Sequence, residues 1–269
     1  MLTSFGVGVA PGGLPRMPRV QISGVRVHYE ATGADGPVVC LVHGTGGTGG
    51  VWTRQLEGLA DVAHVVAPDL PGHGQSGGAP PESIRESVAF VAGFLDALSV
   101  RNVVLGGHSM GGAVAQAFAL TYPERVDGLI LVGTGARLRV LPLLLELLAT
   151  DYPEGVNLLM QMAVSPTAPT ALKAALHHAL AANPQRVVLG DLRASDVFDV
   201  MTRIETIRAP TLAICGEEDQ LTPPKYSRFF GERIAGSRVV VVPGSGHYVQ
   251  VERSEATTAA LREFLQAYV

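Results

Sequence analysis

One serine in the chain stands in a setting suited to nucleophilic catalysis. Ser109 lies in the pattern Gly107-x-Ser109-x-Gly111, between the apolar residues 103–106 and a predicted helix. Small glycines allow a tight, strained turn that lifts the serine oxygen above the sheet. The start of the following helix offers free N–H groups and a positive dipole end near that oxygen. We therefore predict that Ser109 is a nucleophile.

A serine nucleophile needs a base, and the chain contains eight histidines. His247 follows the apolar residues 239–242 through Pro-Gly-Ser-Gly, which places it on a loop at the carboxyl end of a strand. His108 adjoins the serine but points elsewhere on the turn. His43 and His73 lie in glycine-rich loops, where structural hydrogen bonding is expected. We predict that His247 is the base.

The third group is a carboxylate that orients the imidazole, and it is expected between the serine and the histidine. The loop after Cys215 holds three acidic residues, Glu217, Glu218 and Asp219. Any of the three could hold the ring. We favour Asp219 and interpret the two glutamates as a solvated loop.

Strand and helix patterns alternate along most of the chain, which predicts a mostly parallel sheet with ligands at the carboxyl ends of the strands. The first two strands alternate apolar and polar residues and predict an antiparallel hairpin at a sheet edge. The predicted strands are 20–23, 25–30, 37–42, 63–67, 103–106, 129–132, 211–215 and 238–242. Predicted helices in the sheet region are 53–59, 81–98, 113–120 and 255–268.

Residues 137–204 lack strand signals and contain four predicted helices. These are 141–150, 153–164, 169–182 and 185–200. The first two carry too many apolar residues for one narrow stripe, so some of them are expected to line a pocket over Ser109. Leu144 and Met160 are the predicted pocket residues among them.

The length, composition and net charge of the chain exclude some classes of protein. The chain has 269 residues, 47% of them hydrophobic and 16% charged, with a net charge of −4. These values predict a sizeable core and argue against nucleic-acid binding. No apolar run reaches membrane-spanning length, and both cysteines fall in predicted buried strands. Residues 1–19 are rich in glycine and proline and do not resemble a signal peptide, so we expect a flexible extension and a cytoplasmic protein.

Two glycine patterns also match a dinucleotide-binding fingerprint. Gly44-x-Gly46-x-x-Gly49 follows a strand, with Asp69 about twenty residues further on. A second match lies at residues 72–77, which shows how unspecific the pattern is. The chain has no spacing typical of a metal site. We therefore expect no cofactor and no metal.

The order Ser109, Asp219, His247 resembles the serine branch of the α/β-hydrolase fold with a helical cap. The segments that carry the resemblance are Gly107-His108-Ser109-Met110-Gly111-Gly112, His43-Gly44-Thr45-Gly46, Asp69-Leu70-Pro71-Gly72-His73-Gly74-Gln75-Ser76, Gly216-x-x-Asp219 and Gly246-His247. The chain departs from the family after Glu252, where Arg253-Ser254 stand in place of a common proline. That difference concerns the start of the last helix.

The resemblance implies a mostly parallel eight-stranded sheet flanked by helices, with an all-helical insertion as a cap. Its implied divisions are a flexible extension at 1–19, core parts at 20–136 and 205–269, and a cap at 137–204. It also implies that His247 takes the proton of Ser109, that Asp219 orients the imidazole, and that the backbone N–H groups of Thr45 and Met110 hold the oxyanion.

We expect a hydrolase that cleaves uncharged, short to medium acyl or aryl esters, with a small-molecule ester as its partner. The expected substrate contacts are Leu144, Met160 and Trp52, although Trp52 is mainly expected to pack beneath the oxyanion loop. One alternative is a carbon–carbon bond hydrolase or lactonase with the same three residues. Binding a dienolate would require an arginine such as Arg186, Arg193 or Arg203 in the pocket. A hydrolase-like ligand receptor is the alternative from another class. The sequence does not indicate an oligomeric state.

Overall fold

The computed structural model describes residues 18–33 and 35–268, and its first strand begins at Arg19. The expected extension at residues 1–19 therefore lies outside the described residues, except for its last two positions.

Eight strands in the described part of the chain form one sheet. They are β1 (Arg19–Ile22), β2 (Val25–Thr32), β3 (Val38–Val42), β4 (His64–Pro68), β5 (Val103–His108), β6 (Val126–Val132), β7 (Thr211–Gly216) and β8 (Arg238–Val242). Their spatial order is β1-β2-β4-β3-β5-β6-β7-β8. The pairs β1–β2 and β2–β4 are antiparallel, and all other neighbours are parallel. The predicted fold and the edge hairpin are confirmed.

The described part of the chain contains ten α-helices. They are α1 (Thr53–Leu59), α2 (Ile84–Ala97), α3 (Met110–Thr121), α4 (Pro142–Thr150), α5 (Tyr152–Ala163), α6 (Thr170–Ala181), α7 (Gln185–Asp196), α8 (Pro224–Arg233), α9 (Val249–Glu252) and α10 (Ser254–Leu265). None of the helices that the structure describes has both the length and the apolar character required to span a membrane.

Successive residues of each inner strand point to opposite faces, and this alternation builds two apolar clusters. On one face, Val42 of β3 belongs to the same cluster as Phe118 of α3. On the other face, Leu41 belongs to a cluster with Leu56 of α1 and Leu261 of α10. All five side chains are fully buried, and burying such a side chain contributes roughly 1.5–3 kcal/mol.

The helices α4 to α7 lie between β6 and β7 and are called the helical insertion below. They share an apolar cluster of their own, in which Leu148, Val156 and Val188 are fully buried. All four helices fall within the predicted range 137–204. The last of them ends at Asp196 rather than at residue 200, because the chain turns back there and the amide of Val200 donates to the carbonyl of Ala136 (2.8 Å).

Four loops meet at one edge of the sheet. The strands β3, β5, β6, β7 and β8 are consecutive neighbours and run in the same direction, so their carboxyl ends lie side by side. Thr45 follows β3, Ser109 follows β5, Asp219 follows β7 and His247 follows β8. The topology therefore gathers residues that are far apart in the sequence.

Candidate active site

Ser109 occupies a strained turn between β5 and α3. Its backbone has φ 54° and ψ −117°, in the region that disfavours side chains with a Cβ. Such a conformation costs about 1–3 kcal/mol and persists only where its surroundings impose it. Here the amide of Ser109 donates to Val132 O (2.9 Å), and the hydroxyl of Thr134 donates to Ser109 O (2.8 Å).

The glycines on either side of the serine are required by close backbone contacts. A Cβ on Gly107 would overlap the backbone of Gly111, and one on Gly111 would overlap the carbonyl oxygen of Val42. A larger residue at Gly107 would push β5 away from α3, and one at Gly111 would push α3 away from the end of β3. The pattern that singled out Ser109 thus has a direct steric cause in the fold.

The structure brings Asp219 and His247 together. Nδ1 of His247 lies 2.9 Å from Oδ2 of Asp219, and each residue is only 3% exposed. The hydroxyl of Thr222 donates to the same oxygen (2.7 Å). The other oxygen, Oδ1, accepts from the amides of Leu221 (2.9 Å) and Thr222 (2.8 Å). The carboxylate is therefore held rigidly against the imidazole.

The charge state of Asp219 follows from these contacts. Burial raises the pKa of the carboxyl, but the neighbouring His247 and the hydrogen bonds from His247 and Thr222 lower the pKa by more. The net pKa lies below its ordinary value, so the group stays a carboxylate. A carboxylate at Nδ1 holds the proton on that nitrogen and leaves Nε2 to accept a proton from a nucleophile.

Neither neighbouring glutamate takes this place. Glu217 is exposed. Glu218 turns toward the helical insertion, where its Oε2 accepts a hydrogen bond from the hydroxyl of Ser165 (2.5 Å). Of the three carboxylates considered, the structure sets Asp219 alone against the ring of His247.

A residue that the sequence reasoning passed over holds the loop of His247. Glu252 is 7% exposed, and its carboxylate accepts from the amides of Gly246 (3.0 Å) and Tyr248 (3.2 Å), one on each side of the histidine. It also accepts from the amide of Ser165 (3.0 Å). Its only sequence signal was its position five residues after His247, which does not distinguish it from other glutamates near the end of a helix.

A cavity of about 400 Å³ lies over Ser109 and His247, and Thr45 also lines it. Its wall on the side of the helical insertion is mainly apolar. That wall includes Leu138, Val140, Leu141, Leu144, Leu159, Met162 and Leu192. Of the predicted substrate contacts, only Leu144 belongs to this lining.

Met160 and Trp52 lie outside this lining, which corrects their prediction as substrate contacts; Trp52 was mainly expected to pack. Met160 is 6% exposed and packs inside the apolar cluster of the helical insertion, while Leu159 and Met162 face the cavity in its place. Trp52 is fully buried in the cluster beneath α1 and α10. Helical residues one or two positions apart point in different directions, so only the packing could decide which methionine reaches the cavity.

The two predicted oxyanion donors lie beside Ser109. Met110 follows Ser109 directly and begins α3, while Thr45 lines the same cavity as Ser109. Within the described residues, neither backbone amide donates to a protein acceptor. Both donors therefore remain available to a ligand.

Two buried histidines near the site are neutral. Burial is the main reason why the pKa of His43 and that of His108 both fall to about 3. Nδ1 of His43 donates to Gly44 O (2.8 Å), and its Nε2 accepts from the amide of Leu70 (3.0 Å). Nε2 of His108 donates to the carbonyl of His247 (3.0 Å). Both rings hold loops of the site in place through hydrogen bonds, and this structural role was expected for His43.

Comparison with known proteins gives matches along most of the chain. Residues 38–261 match the alpha/beta hydrolase family. The 2-hydroxy-6-oxo-6-phenylhexa-2,4-dienoate hydrolase of Burkholderia cepacia is 29% identical over 273 residues, which cover 91% of this chain and 92% of that protein. The pimeloyl-(acyl-carrier protein) methyl ester esterase of Nitrosomonas europaea is 29% identical, over 82% of this chain and 92% of that protein.

Similarity extends to solved structures. That of a thermophilic esterase has a TM-score of 0.85 and 35% identity, and covers 94% of this chain and 98% of that one. The chain described here therefore belongs to the alpha/beta hydrolase family, and it is a hydrolase.

Proposed function

We propose that this hydrolase cleaves carboxylic esters through an acyl-enzyme formed on Ser109. The observation that carries the proposal is the 2.9 Å contact between Asp219 and Nδ1 of His247, at the base of a cavity that Ser109 also lines. That arrangement orients an imidazole at the cavity that the half-buried Ser109 also lines.

The reaction follows the roles of these groups. His247 accepts the proton of Ser109 while the serine oxygen attacks the acyl carbon, and the amides of Thr45 and Met110 hold the oxyanion. Collapse of this intermediate breaks the ester bond, and His247 passes its proton to the departing alcohol. A water molecule, activated by His247, then hydrolyses the acyl-enzyme and releases the acid.

The cavity lining supports an uncharged substrate. Arg139 lines the cavity, but its guanidinium contacts the carbonyl oxygens of Leu138 and Asp196 and lies 3.8 Å from Asp199. Lys225, at the same cavity, lies 5.7 Å from the ring of Tyr226. The guanidinium of Arg139 is therefore engaged with protein groups, whereas the exposed Lys225 contacts an aromatic ring.

The arginines named for a dienolate lie elsewhere. Arg186, Arg193 and Arg203 are exposed and do not belong to the lining of this cavity. A charged dienoic acid would thus meet a mainly apolar wall, with none of these three arginines to bind it and Lys225 at an exposed position, and burying its charge against that wall costs binding energy. This distinction favours ester cleavage over carbon–carbon bond cleavage.

A substrate panel tests the proposal directly. Purified protein would be assayed with nitrophenyl esters from acetate to dodecanoate, with aryl esters and lactones, and with a dienoic keto-acid. We expect the highest kcat/KM for a neutral ester of short to medium length. Faster turnover of the dienoic acid would establish the carbon–carbon reaction instead, and tight ligand binding with no turnover of any compound would indicate a receptor.

A further inference from the structure

One buried carboxylate of the helical insertion contacts the loop that carries Thr45. Asp191 lies on α7, is 2% exposed, and accepts a hydrogen bond at Oδ2 from the backbone amide of Gly46 (2.8 Å). The same oxygen lies 2.9 Å from Nε2 of His73, which belongs to the loop after β4. Asp191 thus joins three segments that are distant in the sequence.

The partner histidine carries a positive charge. Nδ1 of His73 lies 3.0 Å from the carbonyl oxygen of Pro71, which can only accept a hydrogen bond. Its Nε2 faces a carboxylate oxygen that already accepts from Gly46. Both ring nitrogens therefore donate, and the ring is an imidazolium.

The pKa of His73 agrees with this assignment. Burial lowers the pKa of the imidazole, but the hydrogen bond and the charge of Asp191 raise it by more, so that it lies above its ordinary value. The side chains of His73 and Asp191 are 0% and 2% exposed. A charge-assisted contact in such a dry place is stronger and more directional than a neutral one.

The helical insertion forms hydrogen bonds with both the backbone amide and the backbone carbonyl of Gly46. Its amide donates to Asp191, and its carbonyl accepts from Nδ2 of Asn183 (2.8 Å). A Cβ at Gly46 would collide with Leu180 and crowd Val188, and the residue has φ +58°. Gly46 is therefore clamped in a conformation that glycine adopts readily.

Clamping Gly46 limits the motion of Thr45. The peptide plane between Thr45 and Gly46 contains the amide that Asp191 holds, and the preceding plane contains the amide of Thr45. These two planes share the Cα of Thr45 and turn only about its two backbone dihedrals. Fixing the second plane therefore restricts the direction of the Thr45 N–H group.

We propose that Asp191, paired with His73, is a positioning residue that aims the Thr45 amide at the oxyanion. This inference rests on the proposed function, since it assigns a task within the same reaction. It means that the helical insertion, besides shaping the cavity, sets the geometry of the site on the sheet. Asp191 itself does not belong to the lining of the cavity over Ser109.

Asp191→Asn is the central variant, because it keeps the shape and an acceptor oxygen but removes the charge. Glu146→Gln is its matched control: it makes the same chemical change at an exposed position of α4. We expect Asp191→Asn to lower kcat by roughly 100-fold, the cost of a misplacement of about 1 Å at the reacting centre. KM should stay within about twofold, because the lost interaction acts only in the transition state.

Two further readouts separate positioning from a loss of folded protein. A trifluoromethyl ketone adds to the serine and places an oxyanion in the same site, so its affinity should fall in step with kcat. Labelling by a serine-directed phosphonate, followed to completion, counts the folded sites. Its final amplitude should equal that of the wild type, while its rate should fall.

If Asp191→Asn does not fold, the double variant His73→Gln/Asp191→Asn replaces it in the same measurements. Removing both charges together leaves no unpaired cation in the interior. We expect the same loss of kcat and of ketone affinity. An unchanged kcat per labelled site, or a change confined to KM, would overturn the inference.

Failure of the proposed function has a different signature. If the proposed function is wrong, the wild type itself hydrolyses no ester. If only the role of Asp191 is wrong, the wild type hydrolyses esters and the Asp191 variants do so with an unchanged kcat. The phosphonate labelling rate still tests Asp191 in such a protein, because the phosphoryl oxygen occupies the oxyanion position during attack on Ser109.

Discussion

The backbone amide of Ser165 donates a hydrogen bond to the carboxylate of Glu252, over 3.0 Å. The same oxygen accepts from the amide of Gly246, directly before His247. One carboxylate therefore ties the end of α5 to the loop that carries the proposed base. His247 itself donates its backbone amide to Ala163 O (2.6 Å), so the helical insertion holds this loop at two points.

Replacing Glu252 by glutamine should loosen this loop. The variant presents an NH2 group where one of the two acceptor oxygens stood, and a buried amide left without a partner costs about 1–3 kcal/mol. We expect a lower unfolding free energy and a reduced kcat, measured by urea denaturation and ester hydrolysis. The exposed Glu255→Gln on α10 is the control. Equal effects of the two changes would contradict a specific role for Glu252.

Ser109→Ala should abolish turnover and leave the fold intact. Removing the nucleophile of a serine hydrolase costs about a million-fold in kcat. The strained backbone at Ser109 can accept alanine, because both residues carry one Cβ. Ester hydrolysis and circular dichroism would check both parts of this prediction. Turnover close to that of the wild type would exclude an acyl-enzyme on this residue.

Asp219→Asn should be far more damaging than Glu217→Gln. An asparagine at this position favours the wrong imidazole tautomer, which lowers kcat roughly ten-thousand-fold in a well-studied triad. Glu217 is exposed and serves as the control on the same loop. Rates for one ester, normalised to phosphonate-labelled sites, would show the difference. Comparable losses in the two variants would refute the assignment of the acid.

Two nearby methionines offer a matched test of the cavity wall. Met162→Ala enlarges the cavity and should shift preference toward bulkier acyl groups by about 1–3 kcal/mol in relative transition-state binding. Met160→Ala leaves a void inside the helical insertion and should lower stability by about 2–5 kcal/mol without changing preference. Ratios of kcat/KM across the ester series, with thermal unfolding, would distinguish them. A specificity change in Met160→Ala alone would contradict this assignment.

Stability should fall as the pH drops below about 6.5. His43 and His108 have pKa values of about 3 in the folded protein, against 6.5 for the free group. Between these two pH values the unfolded chain binds more protons than the folded protein. Each ring therefore lowers the unfolding free energy by about 1.4 kcal/mol for every pH unit of acidification. The sign is opposite for His73, whose raised pKa adds stability that is lost as the pH rises above 6.5.

Urea denaturation at pH 7 and at about pH 5 would measure this slope. His108→Gln removes one of the two buried imidazoles and should reduce the slope by roughly half of that contribution. An unchanged slope in the variant would show that His108 does not govern the acid sensitivity.

Several features of the fold could be predicted from local sequence. The strand β8 was predicted at its observed bounds, and the edge hairpin was predicted within one or two residues, because alternation and apolar runs reflect burial directly. The turn at Ser109 was predicted because its two flanking glycines are required locally, where a Cβ would overlap the neighbouring backbone. Helix α8 was not predicted, since Pro224–Arg233 is mostly polar and its apolar contacts, such as Phe230, depend on the sheet.

The sequence by itself determined the order of the strands, the elbow at Ser109 and the loops that carry Asp219 and His247. These follow from periodicity and local sterics, which act over a few neighbouring residues. Only the tertiary structure decided that Met162 and not Met160 lines the cavity, and that Asp191 and Glu252 hold the loops beside the site. Gly46 and Asp191 are separated by 145 positions, and Ser165 and Glu252 by 87. Contacts of that kind depend on how helices pack against the sheet, and no local pattern of residues encodes them.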